Sequence, residues 1–528
     1  MEKIVKYFLV FNLTKVWIIF FFYSLIISVL IQFLILPILL PQFHMGHGLL
    51  DGGDWTFYHT KAVEFSNIIK EHGWSHWQMK PEGFGLIGFV AGIYSFFGIF
   101  EPYVLIPFFS LLHSLGATCI VLLIEKLDFN RGESFLSAIP FLIFPSSLLW
   151  VSQILKDVFT INGSLIILLA LTWIINISNG DNFLFTFKKL LGVYFVMLFG
   201  FVLIWIVRPY FVQISLVFVL LSFITINLFL IFKIFFKKNL SILNMLLILL
   251  TQFLLIISIN HLPELKGQNI DVNSILKQVP SPVFNEQQVD FSPSARDQTI
   301  KITKFVPDTD TKPNKIKTKT KTDDLIDTDT KTTIKEKKIE EYKEELKQEE
   351  VEEPNIIEFK DWNPSSYLPT RIDNEFKKLY YQRSYFYSVQ HGANSTFDFG
   401  IDLNSFEKLV KYVPRAIQVG IFSPFPSSWF GEHPSQLSKL MHFVTGMEMI
   451  FMYICFVGFA ISLFIWKKKV EFWMFVCFSF YFTLLPIYAI PNIGALVRYR
   501  YGAIMLLVAL GISTYLRLYI HKNINDTK

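Results

Sequence analysis

Long unbroken apolar runs, separated by short polar stretches, dominate the chain. The runs do not alternate polar with apolar positions, so they read as helices and exclude a membrane β-barrel. They fall at residues 16–40, 84–100, 103–124, 135–150, 158–177, 190–207, 210–232 and 240–260, and again at 441–466, 472–490 and 502–519. Most approach the ~20 residues that cross a bilayer core. The pattern predicts an all-α polytopic membrane protein with about eleven transmembrane helices (roughly 10–12) and an external, partly disordered insert.

The insert breaks the pattern. Residues 309–354 alternate Lys, Thr, Asp and Glu with few large apolar side chains. Such a stretch buries too little apolar surface to offset the entropy of ordering, so 300–355 is expected to be a disordered, charge-extended spacer. From 356 to 430 aromatics and prolines return, and this part is expected to be ordered. Within it Phe406, Leu409, Val410, Val413, Ile417 and Ile421 recur at helical spacing. They predict an amphipathic helix over 405–422 on the outer membrane surface, with Pro414 kinking it and Pro424 and Pro426 stopping it. The organisation is then an N-terminal membrane module, 1–260, with an external catalytic loop at 41–83; the external insert, 261–438; and a C-terminal membrane module, 439–528.

Charge orients the runs. Lys3, Lys6 and Lys15, then Lys188 and Lys189, Lys233, Lys237 and Lys238, Lys467, Lys468 and Lys469, and the tail after Arg517 read as cytoplasmic. That places Arg208, the insert and 491–501 outside. Five runs separate the loop at 41–83 from Arg208, an odd number that would put them on opposite sides. Run 84–100 is short and holds Gly85, Gly88, Gly92 and Gly98. It is the candidate for a re-entrant or tilted half-span, which also brings Lys156 and Asp157 to the outer face.

Composition adds little to this. Hydrophobic residues make up 52%, and the net charge of +5 fits basic cytoplasmic loops better than a nucleic-acid surface. Cys119, Cys455 and Cys477 lie inside apolar runs and form no disulfide or metal pattern. The N-terminal run has no small-residue cleavage site and reads as a retained span. The Phe, Ile and Lys bias suggests an AT-rich bacterial genome and the cytoplasmic cell membrane.

Against the apolar background one soluble stretch stands out, residues 50–65, LDGGDWTFYHTKAVEF. Asp51 and Asp54 sit at the head of a short helix that carries Tyr58 and His59. A carboxylate at the membrane–water boundary can take a proton from an acceptor hydroxyl. Aspartate at a helix start is equally suited to capping it. Arg208 between two apolar runs, Arg498 and Arg500 before the last run, and Lys156 beside its local partner Asp157 are the membrane-edge cations. Arginine grips phosphate through a rigid, permanently charged fork, although a lone arginine at a span end also fits simple snorkelling. Tyr58 and His59 are further substrate-binding candidates. His44, His47, His59, His72 and His76 cluster in the first loop, but their spacing matches no tight zinc pattern, so a divalent metal has no support. No Gly-rich phosphate loop or nucleophile elbow is present, and no nucleotide cofactor is expected.

Asp54, Tyr58 and Ala62 in an external Asp-x-x-x-Tyr-x-x-x-Ala helix after the first span resemble the integral-membrane glycosyltransferases of the GT-C type. The nearest group is that of the protein O-mannosyltransferases and aminoarabinose transferases. KPEGFGLIGFVAGIYSFFG (80–98) and PSSLLWVSQILKD (145–157) are similar to segments of that group, and RYRYG (498–502) resembles the final-span entry of related bacterial polysaccharide proteins. The likeness runs from the N-terminus to Arg208 and resumes at Arg498. It implies a polyprenyl- or dolichyl-phosphate sugar donor, transfer at the external face, and a catalytic carboxylate in the first external loop, Asp54 before Asp51. The acceptor is a glycan, lipid or protein. Two other readings stand beside it: a polysaccharide polymerase or ligase of the O-antigen or exopolysaccharide type, acting on lipid pyrophosphate-linked glycans, and a transporter or flippase.

Overall fold

The computed structural model describes residues 12–177, 183–237, 241–263, 360–389, 395–430 and 436–526. The segment expected to be disordered, 300–355, lies outside the described residues. Fifteen α-helices make up almost everything that is described. In chain order they are α1 (Leu13–Leu30), α2 (Asp54–His72), α3 (Gly85–Phe97), α4 (Ile106–Glu125), α5 (Arg131–Ile143), α6 (Pro145–Ser152), α7 (Asp157–Ile175), α8 (Phe183–Val207), α9 (Pro209–Phe232), α10 (Ile242–Asn260), α11 (Thr370–Val389), α12 (Phe406–Phe422), α13 (Gln436–Ile465), α14 (Val470–Ala489) and α15 (Ile493–Asp526). A small antiparallel hairpin, β1 (His44–Gly46) with β2 (Leu49–Leu50), pairs His44 with Leu50.

The chain is a polytopic helical membrane protein. Nine helices among the described residues are long and apolar enough to cross a bilayer, ten when the bent pair α5–α6 counts as one span. Two runs account for the difference from eleven. Run 84–100 yields only α3, thirteen residues long, which is about 20 Å against a core of about 30 Å. Both of its ends lie at the same end of the bundle: Gly85 abuts the Ile206 carbonyl at the close of α8, and Glu101 pairs with His47 of the hairpin turn at 2.8 Å. It therefore does not cross. Run 135–150 breaks where Phe144 precedes Pro145. The proline ring pushes Phe144 out of the helical region to ψ 133°, and the two helices meet at 67°.

α7 is the central post. Nearly all its side chains are buried, as an all-round apolar helix requires. Its Gly163 faces Gly200 of α8 so closely that a Cβ on either would meet the other's carbonyl within 2.8 Å. Small residues permit this backbone contact, which packs α7 against α8 where apolar side chains gain nothing from leaving lipid. The end of the bundle away from the hairpin holds the Trp466 indole on the Leu127 carbonyl, an Asp128–Lys469 ion pair, and Lys233 donating to the Ile175 carbonyl.

The ordered insert builds a second core on the upper ends of α14 and α15. Trp362, Tyr380, Leu403, Leu409, Tyr412 and Val419 pack with Ile487 and Leu496. The amphipathic helix forms as α12, capped by Ser405 and with Pro414 inside it. Its buried side is Leu409, Tyr412, Ala416 and Val419, packed on protein, while Val410 and Val413 from the expected apolar stripe remain exposed.

Candidate active site

Asp54 opens α2 because Gly52 and Gly53 both take positive φ, 70° and 93°, and turn the chain out of the hairpin. Gly53 is the N-cap and no side chain caps this helix, so neither Asp51 nor Asp54 serves as a cap. Asp54 instead lies in the first turn, where the helix dipole favours a carboxylate. Two buried amides hold the loop. Gln153 accepts from the Leu50 N–H at 3.0 Å and donates to the Gly48 carbonyl at 3.2 Å. Gln32 of the first span donates to the Ser152 carbonyl at 2.6 Å. The Trp55 indole closes on the Leu50 carbonyl at 2.7 Å. The loop that carries Asp54 is thus tied to the segment that carries Lys156 and Asp157.

A chain of charges follows. Asp157, the first residue of α7, is fully buried. Its Oδ1 accepts from Arg208 Nη2 at 2.9 Å and its Oδ2 from Arg498 Nε at 3.1 Å. Arg498 extends its Nη2 to Asp54 Oδ2 at 3.0 Å. Arg208 also donates to Thr160 at 3.2 Å and lies over the Tyr499 ring at 4.3 Å. Tyr499 and Tyr210 share a hydroxyl contact of 2.6 Å.

Lys156 does not pair with Asp157, as adjacency suggested. Asp157 turns inward to the two arginines, and the Lys156 ammonium lies 5.1 Å from the Tyr58 ring centroid and 5.2 Å from that of Phe84. Lys156 makes no ion pair among the described residues. Burial, then the neighbouring Arg208, pulls its pKa down to about 8. Two carboxylates, Asp54 and Asp157, therefore face three cations, Lys156, Arg208 and Arg498, which leaves one positive charge in excess. Burial and the Asp54 carboxylate raise the Tyr58 hydroxyl pKa, so the ring over Lys156 stays neutral.

Three expected residues fall elsewhere. Asp51 is exposed in the bend that follows the hairpin. His59 faces away from the cluster, 3.0 Å from the Tyr94 hydroxyl, and burial beside His47 lowers its pKa. Arg500 is buried on the opposite flank of α15. Its guanidinium bonds the carbonyls of Val419, Gly420 and Ser423, satisfying the open C-terminal end of α12. No group of three or more His, Cys, Asp or Glu among the described residues could hold a metal ion.

Sequence reasoning missed Asp157 as the hub and Gln153 as the tether. An acidic residue at a span end was a signal for the first. Nothing local marks Gln153, whose partners lie more than a hundred residues away. Comparison with family models, with curated proteins and with solved structures gives no match for this chain.

Proposed function

We propose that this protein is a membrane glycosyltransferase that moves a sugar from a polyprenyl-phosphate donor to an acceptor hydroxyl, at the non-cytoplasmic face of a bacterial cytoplasmic membrane. The observation that carries the reading is the meeting of Asp54, Lys156 and Arg498 at one end of the bundle. The opposite end carries Lys467, Lys468 and Lys469, which by the positive-inside rule belong to the cytoplasm. The resemblance of the Asp54–Tyr58–Ala62 helix to GT-C enzymes supports the same assignment.

In this reading Arg498 fixes the Asp54 carboxylate through Oδ2, and Oδ1 has no partner among the described residues. Oδ1 takes the proton of the acceptor hydroxyl as its oxygen bonds to the sugar's anomeric carbon. The bond from that carbon to the phosphate oxygen breaks, and the electron pair leaves on the phosphate. Negative charge grows there, so Lys156 and Arg498 stabilise the transition state more than the bound donor. The aromatic faces of Tyr58 and Phe84 flank Lys156, which makes no ion pair among the described residues.

The test is transfer from labelled polyprenyl-phosphate sugars by the protein in proteoliposomes. Labelled product supports the assignment. Extension of a pyrophosphate-linked glycan, with no use of any monophosphate donor, moves it to a polymerase or ligase. A transporter reading draws on the bent α5–α6 span, since broken helices mark transport sites. Protein-dependent substrate flux across the liposome membrane without covalent product would favour it.

A further inference from the structure

A groove lined only by apolar and aromatic residues shares no residue with the charged cluster. It encloses about 310 Å³ between three helices, with Phe376 of α11, Val410 and Val413 of α12, and Tyr481, Leu484 and Tyr488 of α14 among its walls. Every lining side chain is aliphatic or aromatic. The two hydroxyls among them are already engaged: Tyr481 donates to the Ile214 carbonyl at 2.9 Å and Tyr488 to the Leu409 carbonyl at 3.2 Å. Side chains of this kind offer a ligand surface and shape but no hydrogen bond, which selects a hydrocarbon chain.

The floor of the groove continues the lipid-facing side of a span. On α14, Trp473, Cys477, Tyr481, Leu484 and Tyr488 follow one another at helical spacing, and Trp473 and Cys477 are exposed. Further along the same stripe Tyr481, Leu484 and Tyr488 become the floor. α11 and α12 lie outside the candidate spans, and α12 shows Glu407 and Lys411 to solvent. The groove thus carries an apolar surface from bilayer depth up to the level of water. Left empty it would be wetted; a chain rising from the bilayer covers it.

We propose that this groove binds one acyl chain of a bilayer phospholipid, as a lipid site separate from the site of transfer. The sugar donor is not its occupant, since that ligand must bring its phosphate to Lys156 and Arg498, and the groove contains no cation. The seated chain supports α12 from below. Because Arg500 of α15 holds the C-terminal carbonyls of α12, the lipid steadies the helix that also carries Arg498.

The test is native mass spectrometry of the full chain released from phospholipid nanodiscs. Val413→Trp fills the groove from its exposed wall, and Val410→Asn makes that wall polar. Leu221→Trp, on the lipid-facing side of α9, is the control. Wild type and Leu221→Trp are expected to retain one phospholipid per chain, and both groove variants to lose it while keeping the wild-type circular dichroism. Equal retention by all four proteins, retention by none, or a retained polyprenyl phosphate in place of phospholipid overturns the proposal. Should Val413→Trp fail to fold, Val410→Asn alone decides.

Discussion

At one end of the bundle Glu125 pairs with Arg131, and Asp128, 71% exposed, pairs with Lys469. At the other end Asp157, 0% exposed, lies between Arg208 and Arg498, and Asp54 closes the chain. The first arrangement is ordinary. Glu125–Arg131 is half-buried but local, and the exposed Asp128–Lys469 pair is of the kind that contributes about 0–1 kcal/mol and is screened by salt. The second is costly, because desolvating each ion takes several kcal/mol that only good geometry returns. It also ends with Lys156, which makes no ion pair among the described residues. Stability alone calls for no such arrangement, whereas a site for an anionic leaving group does.

Four substitutions sharpen or break the contrast, taken from the largest effect down. Asp157→Ala leaves two arginines without their shared counter-charge and should destabilise the fold by about 3–5 kcal/mol, read as a fall in melting temperature in detergent. A near-normal melt would mean that water or lipid replaces the carboxylate and that the chain of charges is not coupled. Lys156→Met removes the excess cation and should weaken donor use by roughly 10–100-fold, the worth of one charge-assisted hydrogen bond. The readout is kcat and kcat/KM for the donor, with the melt unchanged. The same lysine sets a pH dependence. Its pKa, pulled down to about 8, leaves it charged below that pH and neutral above. The kcat/KM of the wild type for the donor should therefore fall as pH climbs through 8, and Lys156→Met should lose that fall. Gln153→Ala leaves the Leu50 N–H and Gly48 carbonyl unpaired, costs about 1–3 kcal/mol, and should lower turnover by loosening the Asp54 loop. Asp128→Ala at the opposite end should cost no more than about 1 kcal/mol and leave transfer intact.

How far the sequence foretold this differs from residue to residue. The apolar runs gave the spans well, because lipid leaves the backbone few alternatives to helix. The short α3 was legible in its length and glycines, whereas run 135–150 reads as one unbroken span although Pro145 marks the break at Phe144. Arg498 and Arg500 looked equivalent on paper. Two residues on a helix are separated by about 200°, so one arginine joins Asp54 and Asp157 while the other turns to α12. Adjacency misled in the same way at Lys156 and Asp157, where the partner of Asp157 is not its neighbour but Arg208 and Arg498. Contacts such as Gln153 to the Leu50 backbone arise only from the fold and leave no periodic trace. The groove under α12 was likewise hidden, since Val410 and Val413 belong to an apolar stripe whose covering depends on how the helix docks.

Asp54 is the base of the proposed transfer, and the most direct test sets Asp54→Asn against Asp51→Asn in the proteoliposome transfer assay. Asparagine keeps the shape of each side chain and removes its charge and basicity. The expected result is a loss of about 10²–10⁴-fold for Asp54→Asn, with its melting temperature close to that of wild type, and near-normal transfer by Asp51→Asn. Full transfer by folded Asp54→Asn, above all if Asp51→Asn is the variant that fails, would contradict it.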